Sequence, residues 1–182
     1  MAAMADSRSA TIWLGRLAYL ICATLLLFGA MIPLQFTPST IPRPDVTLCL
    51  TLAIVLRRPE FAPVWLVGGI FFLDDILLNR PLGLWTAIAV LSCEGIRSQE
   101  YRFRDLIFPF EWVFVAGVML LALLVNRLIL SLSFVPVTGF GFVMLHFFVT
   151  VAAYPFVVFF CGYVLRIRKV TPDQAIQFGH RL

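Results

Sequence analysis

Ile107 to Leu132 reads IFPFEWVFVAGVMLLALLVNRLILSL. A helix needs about 20 apolar residues to cross a hydrocarbon core about 30 Å thick, and this run supplies them. Working outward, a sixth apolar stretch follows from about Phe140 to Leu165. Four precede it: Ile12 to Leu34, Val46 to Leu56, Phe61 to Leu78, and Leu84 to about Ile96. The connectors are short and polar or proline-bearing: Arg57-Arg58-Pro59-Glu60, Asn79-Arg80-Pro81, and Ser133 to Thr138. Connectors this short force neighbouring helices to run antiparallel. The expected fold class is therefore an all-α integral membrane protein. It is a six-helix transmembrane bundle, a single domain over residues 1–182, with cytoplasmic tails at about 1–11 and 166–182. The first stretch exceeds a signal-peptide core of about 7–15 residues and more spans follow it, so it reads as a retained helix.

Composition agrees. Of 182 residues, 61% are hydrophobic and 13% charged. A soluble domain averages about 45–50% apolar and about 25% charged, so a soluble fold would lack the polar residues to face water. The net charge of +4 sits at segment ends, with no basic run interleaved with aromatics, which argues against nucleic-acid binding. Cys22, Cys49, Cys93 and Cys161 are far apart in apolar stretches and read as small apolar fillers, not as a zinc or redox motif.

Charge also orients the bundle. With the N-terminus inside, Arg8, Arg16, Arg57, Arg58, Arg97, Arg102, Arg104, Arg166, Arg168, Lys169 and Arg181 are cytoplasmic. Only Arg43 and Arg80 lie outside, and Arg127 falls within the fifth span. That asymmetry follows the positive-inside rule. Trp13, Trp65 and Trp112 fall at inner ends and Trp85 at an outer end, as in an aromatic belt.

The second stretch is too short to cross alone: about 11 residues rise about 17 Å. Prolines at Pro38, Pro42 and Pro44 precede it, and Asp45 is placed to cap it. Irregular backbone at membrane depth must be enclosed by protein or line a wet cavity.

Embedded polar residues are costly, which makes them candidate functional positions. Asp74 and Asp75 in the third span, Asn126 and Arg127 in the fifth, and His146 in the sixth share a depth of roughly 6–9 Å below the outer boundary. One reading is a buried polar cluster with an Asp74–Arg127 contact. The other is an aspartate facing headgroups, an outward-reaching Arg127 and a hydrogen-bonded His146. Adjacent aspartates point about 100° apart on a helix, which argues against an aspartyl dyad. Glu94 can meet Arg16 across the bundle or Arg97 one turn on, and the local pair is favoured. Pro155 frees the carbonyl of Val151 and predicts a kink, more often static shape than a hinge. Gly68-Gly69 permits close helix approach. Only His146 and His180 are histidines, and no HExxH, GxSxG or phosphate loop occurs. No catalytic residue, metal ligand or cofactor site is expected.

Three groups of residues together resemble the rod shape-determining MreD family. They are Pro42-Arg43-Pro44-Asp45 opening a short helix; Gly68-Gly69-Ile70-Phe71-Phe72-Leu73-Asp74-Asp75 followed by Pro81-Leu82-Gly83; and Tyr154-Pro155 followed by Arg166, Arg168 and Lys169. The likeness covers most of the chain from about Pro42 onward. Of the two aspartates only Asp74 carries over. The resemblance implies a bundle like the substrate-binding component of energy-coupling-factor transporters. It implies an inner-membrane, non-catalytic part of the bacterial cell-elongation machinery. The implied partners are the bitopic protein MreC and, through it, MreB and the RodA/transpeptidase pair, and a homodimer stays open. Candidate structural or partner-sensing residues are Asp45, Gly68, Gly69, Asp74, Gly83, Arg127, His146 and Pro155. Two other classes compete. A transporter subunit would show a ligand-sized outer cavity lined with polar groups. An intramembrane enzyme would show two carboxylates, or a histidine and a nucleophile, within hydrogen-bond reach.

Overall fold

The computed structural model describes residues 2–31, 42–99, 108–133 and 139–163. The basic positions at 102, 104, 166, 168, 169 and 181, His180 and the connector at 134–138 lie outside the described residues.

Six helices make up the described chain: α1 (Ala2–Met31), α2 (Val46–Arg57), α3 (Val64–Leu77), α4 (Leu84–Ser98), α5 (Phe108–Leu132) and α6 (Phe140–Tyr163). A single 3-10 turn, Pro59–Phe61, joins α2 to α3. Among the described residues the fold is all helical. Helix α1 begins at Ala2, about ten residues before its apolar stretch, because the alanines and methionine at its start favour helix.

Length divides the helices into two groups. Ala10–Met31, Phe108–Leu132 and Phe140–Tyr163 are long and apolar enough to cross a membrane. They rise roughly 33–38 Å at 1.5 Å per residue. Helices α2, α3 and α4 have 12, 14 and 15 residues. They rise only about 18–23 Å, less than the hydrocarbon thickness of about 30 Å.

Packing explains how the shortest helix is tolerated. Every residue of α2 from Thr47 to Val55 is buried. Helix α2 packs most extensively on α6 and also on α4 and α1, while α3–α4, α4–α5, α5–α6 and α1–α3 contacts surround it. It is the axis of the bundle. Leu50, Leu52, Ile54 and Val55 are at most 1% exposed. Lipid is as apolar as leucine, so this enclosure is stabilised by close packing and interhelical hydrogen bonds more than by leaving water. One such bond joins the hydroxyls of Tyr19 on α1 and Thr51 on α2, 2.9 Å apart and buried. Conversely, α1, α5 and α6 present Leu14, Leu25, Leu121, Leu128, Phe156 and Phe159, all more than 60% exposed. Side chains of this kind suit a lipid-facing surface.

The 3-10 turn is held by side chains from two helices. Arg16 on α1 donates from Nε to the Glu60 carbonyl at 3.1 Å, and Arg97 on α4 donates from Nη2 to the Ala62 carbonyl at 2.6 Å. Arg97 also pairs with Glu94, the local pair expected from sequence, and Arg16 serves the turn instead. Gly15 lets α1 approach closely, since a Cβ there would lie 2.6 Å from the Phe61 ring.

Candidate functional site

In the Pro42–Asp45 segment the Pro44 and Asp45 carbonyls accept from the Val46 and Cys49 amides at 3.0 and 3.1 Å, and side chains around it supply further bonds. Asp45 Oδ1 accepts from the Leu48 amide at 3.0 Å, capping α2. The Asp45 amide donates to Thr150 Oγ1 on α6 at 3.2 Å. Arg43 Nη1 donates to the Ala30 carbonyl near the end of α1 at 2.6 Å. Helices α1, α2 and α6 thereby enclose this non-helical segment.

This segment forms part of a cavity of about 920 Å³. Its lining comes from the C-terminal ends of α1, α3 and α5 and the N-terminal ends of α2, α4 and α6. That is one end of an up-and-down bundle. The polar lining is Arg43, Asp45, Asp74, Arg80, Arg127 and His146, with Thr47 and Asn126 beside them. The depth shared by Asp74, Asn126, Arg127 and His146 in the sequence therefore becomes a shared cavity.

The pairing inside it differs from the expected Asp74–Arg127 contact. Asp74, 3% exposed, receives Arg80 Nη1 on Oδ2 at 3.2 Å. The same nitrogen lies 3.7 Å from Asp45 Oδ2. Arg80 wins because the turn after α3 brings it back over its own helix end, whereas Arg127 must reach from α5. Arg127 instead stands over the Phe140 ring, 5.5 Å from its centroid. Arg80 stacks in the same way on Trp85 at 5.4 Å. Trp85 is 4% exposed and lines the cavity instead of facing outward from the bundle, whereas Trp13 and Trp65 are 58% and 62% exposed.

Asp75 turns away from this cluster, as a 100° step requires. It is fully buried, and its Oδ2 accepts from the Gly83 amide at 3.0 Å, the Thr86 amide at 3.2 Å and Thr86 Oγ1 at 2.8 Å. A carboxylate from α3 thus caps α4. Gly83 adopts φ 81°, left-handed backbone that glycine tolerates at no steric cost. The Pro81-Leu82-Gly83 turn and both aspartates form one unit, in which Asp75 has as definite a role as Asp74.

A second polar cluster lies toward the opposite end and was missed from sequence. Arg57, assigned there to the cytoplasmic side, has a side chain only 8% exposed. Its Nη2 meets Glu111 Oε1 at 2.8 Å, and Tyr154 donates its hydroxyl to the same oxygen at 2.9 Å. Glu111 is 1% exposed and sits in the first turn of α5, where helix polarity favours an anion. The cluster joins α2, α5 and α6. The sequence signal was a lone acid entering a long apolar run and an arginine ending a shorter one.

The remaining candidates separate. Pro155 lies inside α6, and Trp112 Nε1 donates to the Val151 carbonyl at 3.0 Å, the acceptor that proline leaves open. Gly68 faces Val90 at 3.9 Å from its hypothetical Cβ, while Gly69 is exposed, with nothing within 4 Å. Cys49, Cys93 and Cys161 are buried and Cys22 is half-buried, all as free thiols. Among the described residues no group of three or more His, Cys, Asp or Glu side chains is placed to hold a metal.

No protein-family model, curated protein or solved structure matches this chain.

Proposed function

We propose that this chain is an MreD-like, non-catalytic component of the bacterial cell-elongation machinery in the inner membrane, acting by binding the transmembrane helix of an MreC-like protein. The observation that supports this reading best is the convergence of its motif residues. Pro42, Arg43, Pro44 and Asp45 line one cavity with Asp74, and the Pro81-Leu82-Gly83 turn is tied to the next residue, Asp75, by the Gly83 amide. Residues separated in sequence serve one structural unit. The reading of Gly69 as a contact point is supported by its exposure and the open space around it. Small residues let a partner backbone approach closely.

In this proposal all six helices cross the membrane, with both termini in the cytoplasm. Helix α2 rises about 18 Å, and the four residues before it span up to about 13 Å when extended. Together they match the hydrocarbon thickness of about 30 Å.

Co-purification of the tagged, detergent-solubilised chain with an MreC-like protein tests the reading. Gly69→Leu should weaken the complex about tenfold or more, and an outward-facing Leu121→Ile change should not. A chain that never retains the partner helix, yet binds a soluble vitamin tightly, would replace this reading with a second one. That second reading, a small-molecule-binding subunit of a transporter, is favoured by the polar-lined cavity of about 920 Å³. Ligand pockets of about 300–1,000 Å³ are usual.

A further inference from the structure

Burial among other helices lets α2 be short, and α3 has no such enclosure. Its close packing is with α4 and α1. Leu66, Val67, Ile70 and Phe71 fill the inner side of α3. Its other side carries Trp65, Gly69, Phe72, Leu73 and Ile76, all exposed. Their spacing is that of one helix face. Helix α4 extends the face with Ala87, Leu91 and Gly95, exposed at every fourth residue.

Length decides what can cover this face. From Trp65 to Ile76 the stripe rises about 17 Å, at about 1.5 Å per residue. Polar residues bound it, with Arg58 and Glu60 before α3 and Asn79 after it. By contrast, the exposed apolar residues of α5 run from Val113 to Leu132, and those of α6 from Phe140 to Phe159. Each of those runs rises about 29 Å, close to a hydrocarbon core of about 30 Å. The same core overshoots the α3 stripe by about 13 Å. Chains of ordinary length would lie against Arg58, Glu60 and Asn79, and tilting α3 would only shorten its vertical reach. The face continues the lipid-facing surface, because α3 adjoins α1 and α4 adjoins α5, both of which expose leucines. Exposed Trp65 stands at one end of the stripe, where an aromatic anchor meets headgroups.

We propose that the outer face of α3 and α4 is a binding surface for phospholipids with short acyl chains, so that the bilayer is thin on this flank and of ordinary thickness around α5 and α6. The inference rests on the six-span reading, in which α3 and α4 cross the membrane. Gly69 lies within the stripe, so a partner helix there would displace these lipids, but lipid binding itself needs no partner.

The test uses the full-length, cysteine-free chain in vesicles, with one bimane-labelled cysteine at Leu73→Cys on α3 or Leu121→Cys on α5. Brominated dioleoyl-phosphatidylcholine quenches the label, and unbrominated lipids compete for the contact: short dimyristoleoyl-, ordinary dioleoyl- or long dierucoyl-phosphatidylcholine. At position 73 the short lipid should compete about two- to threefold better than the ordinary one, since mismatch costs little per ångström but accumulates over the stripe. At position 121 the ordinary lipid should compete at least as well as the short one. Equal competition by all three lipids at position 73 would overturn the chain-length preference. A label at position 73 that brominated lipid never quenches would overturn the lipid assignment and mean that protein covers the face, a second copy of the chain included. The same short-chain preference at position 121 would overturn the contrast between flanks. Labelling of position 99 from outside intact cells would instead remove the six-span premise, whereas equal competition in a chain that passes that test leaves the topology standing. If the cysteine-free chain fails to fold, the unaltered chain is purified from an equimolar mixture of the short and ordinary lipids, and the lipids it retains are weighed by native mass spectrometry. Enrichment of the short lipid by about twofold or more is expected, and no enrichment would overturn the inference.

Discussion

Trp112 Nε1 lies 3.0 Å from the carbonyl oxygen of Val151, the acceptor that Pro155 deprives of its helical donor. An indole on α5 thus repairs a backbone defect in α6. An unmet carbonyl in an apolar setting costs about 1–3 kcal/mol. Trp112→Phe should therefore destabilise the protein by about 1–2 kcal/mol. In a Pro155→Ala background the restored amide takes over the carbonyl, and most of that cost should vanish. Thermal unfolding of the four proteins in detergent measures the coupling; equal costs in both backgrounds would show that the indole contact is incidental.

Arg57, Glu111 and Tyr154 join three helices through one carboxylate oxygen. Removing one buried ion alone leaves the other uncompensated, a loss of about 3–5 kcal/mol. Arg57→Met and Glu111→Leu should each be severe alone, and the double variant should cost clearly less than the two added together. Yields of folded protein and denaturant midpoints read this out.

Asp74 should couple to Arg80 and not to Arg127. The arginine is about a third exposed, so the coupling should be modest, about 1 kcal/mol. A double-mutant cycle with Asp74→Asn and Arg80→Gln should show it, and the parallel cycle with Arg127→Gln should be additive within error. The reverse pattern would restore the Asp74–Arg127 contact.

The turn entering α4 separates backbone from side-chain effects. At Gly83 a Cβ would meet nothing within 4 Å, so Gly83→Ala should cost only the left-handed backbone penalty, about 1–2 kcal/mol. Asp75→Ala removes the acceptor of three donors and should cost more, about 2–4 kcal/mol. Chemical denaturation ranks the two variants; a milder Asp75→Ala would mean that the cap is dispensable.

The proposed topology places positions 99 and 178 in the cytoplasm. Single cysteines there, in a cysteine-free background, should resist an impermeant thiol reagent applied to intact cells and react after permeabilisation. Strong labelling of either from outside would rule out the six-span arrangement.

The helical class and the three membrane-length helices were legible from the sequence, because an apolar run of that length has few other stable settings. So were the Asp45 cap and the Glu94–Arg97 pair, since both depend on residues three apart. The shared depth of Asp74, Arg127 and His146 was legible too, because helical rise converts position into height. Height does not say which side chains meet. Asp74 finds Arg80 because a turn folds back, and Arg57 finds Glu111 because α5 packs on α4 and α6, the helices that flank α2. Trp85 looks like a belt residue in sequence, and packing buries it. Local rules act over one turn of helix, and a sequence states them directly. Pairings across helices depend on rotation and order in the bundle, which depend on how all the apolar faces fill space together, and only the tertiary structure decided those.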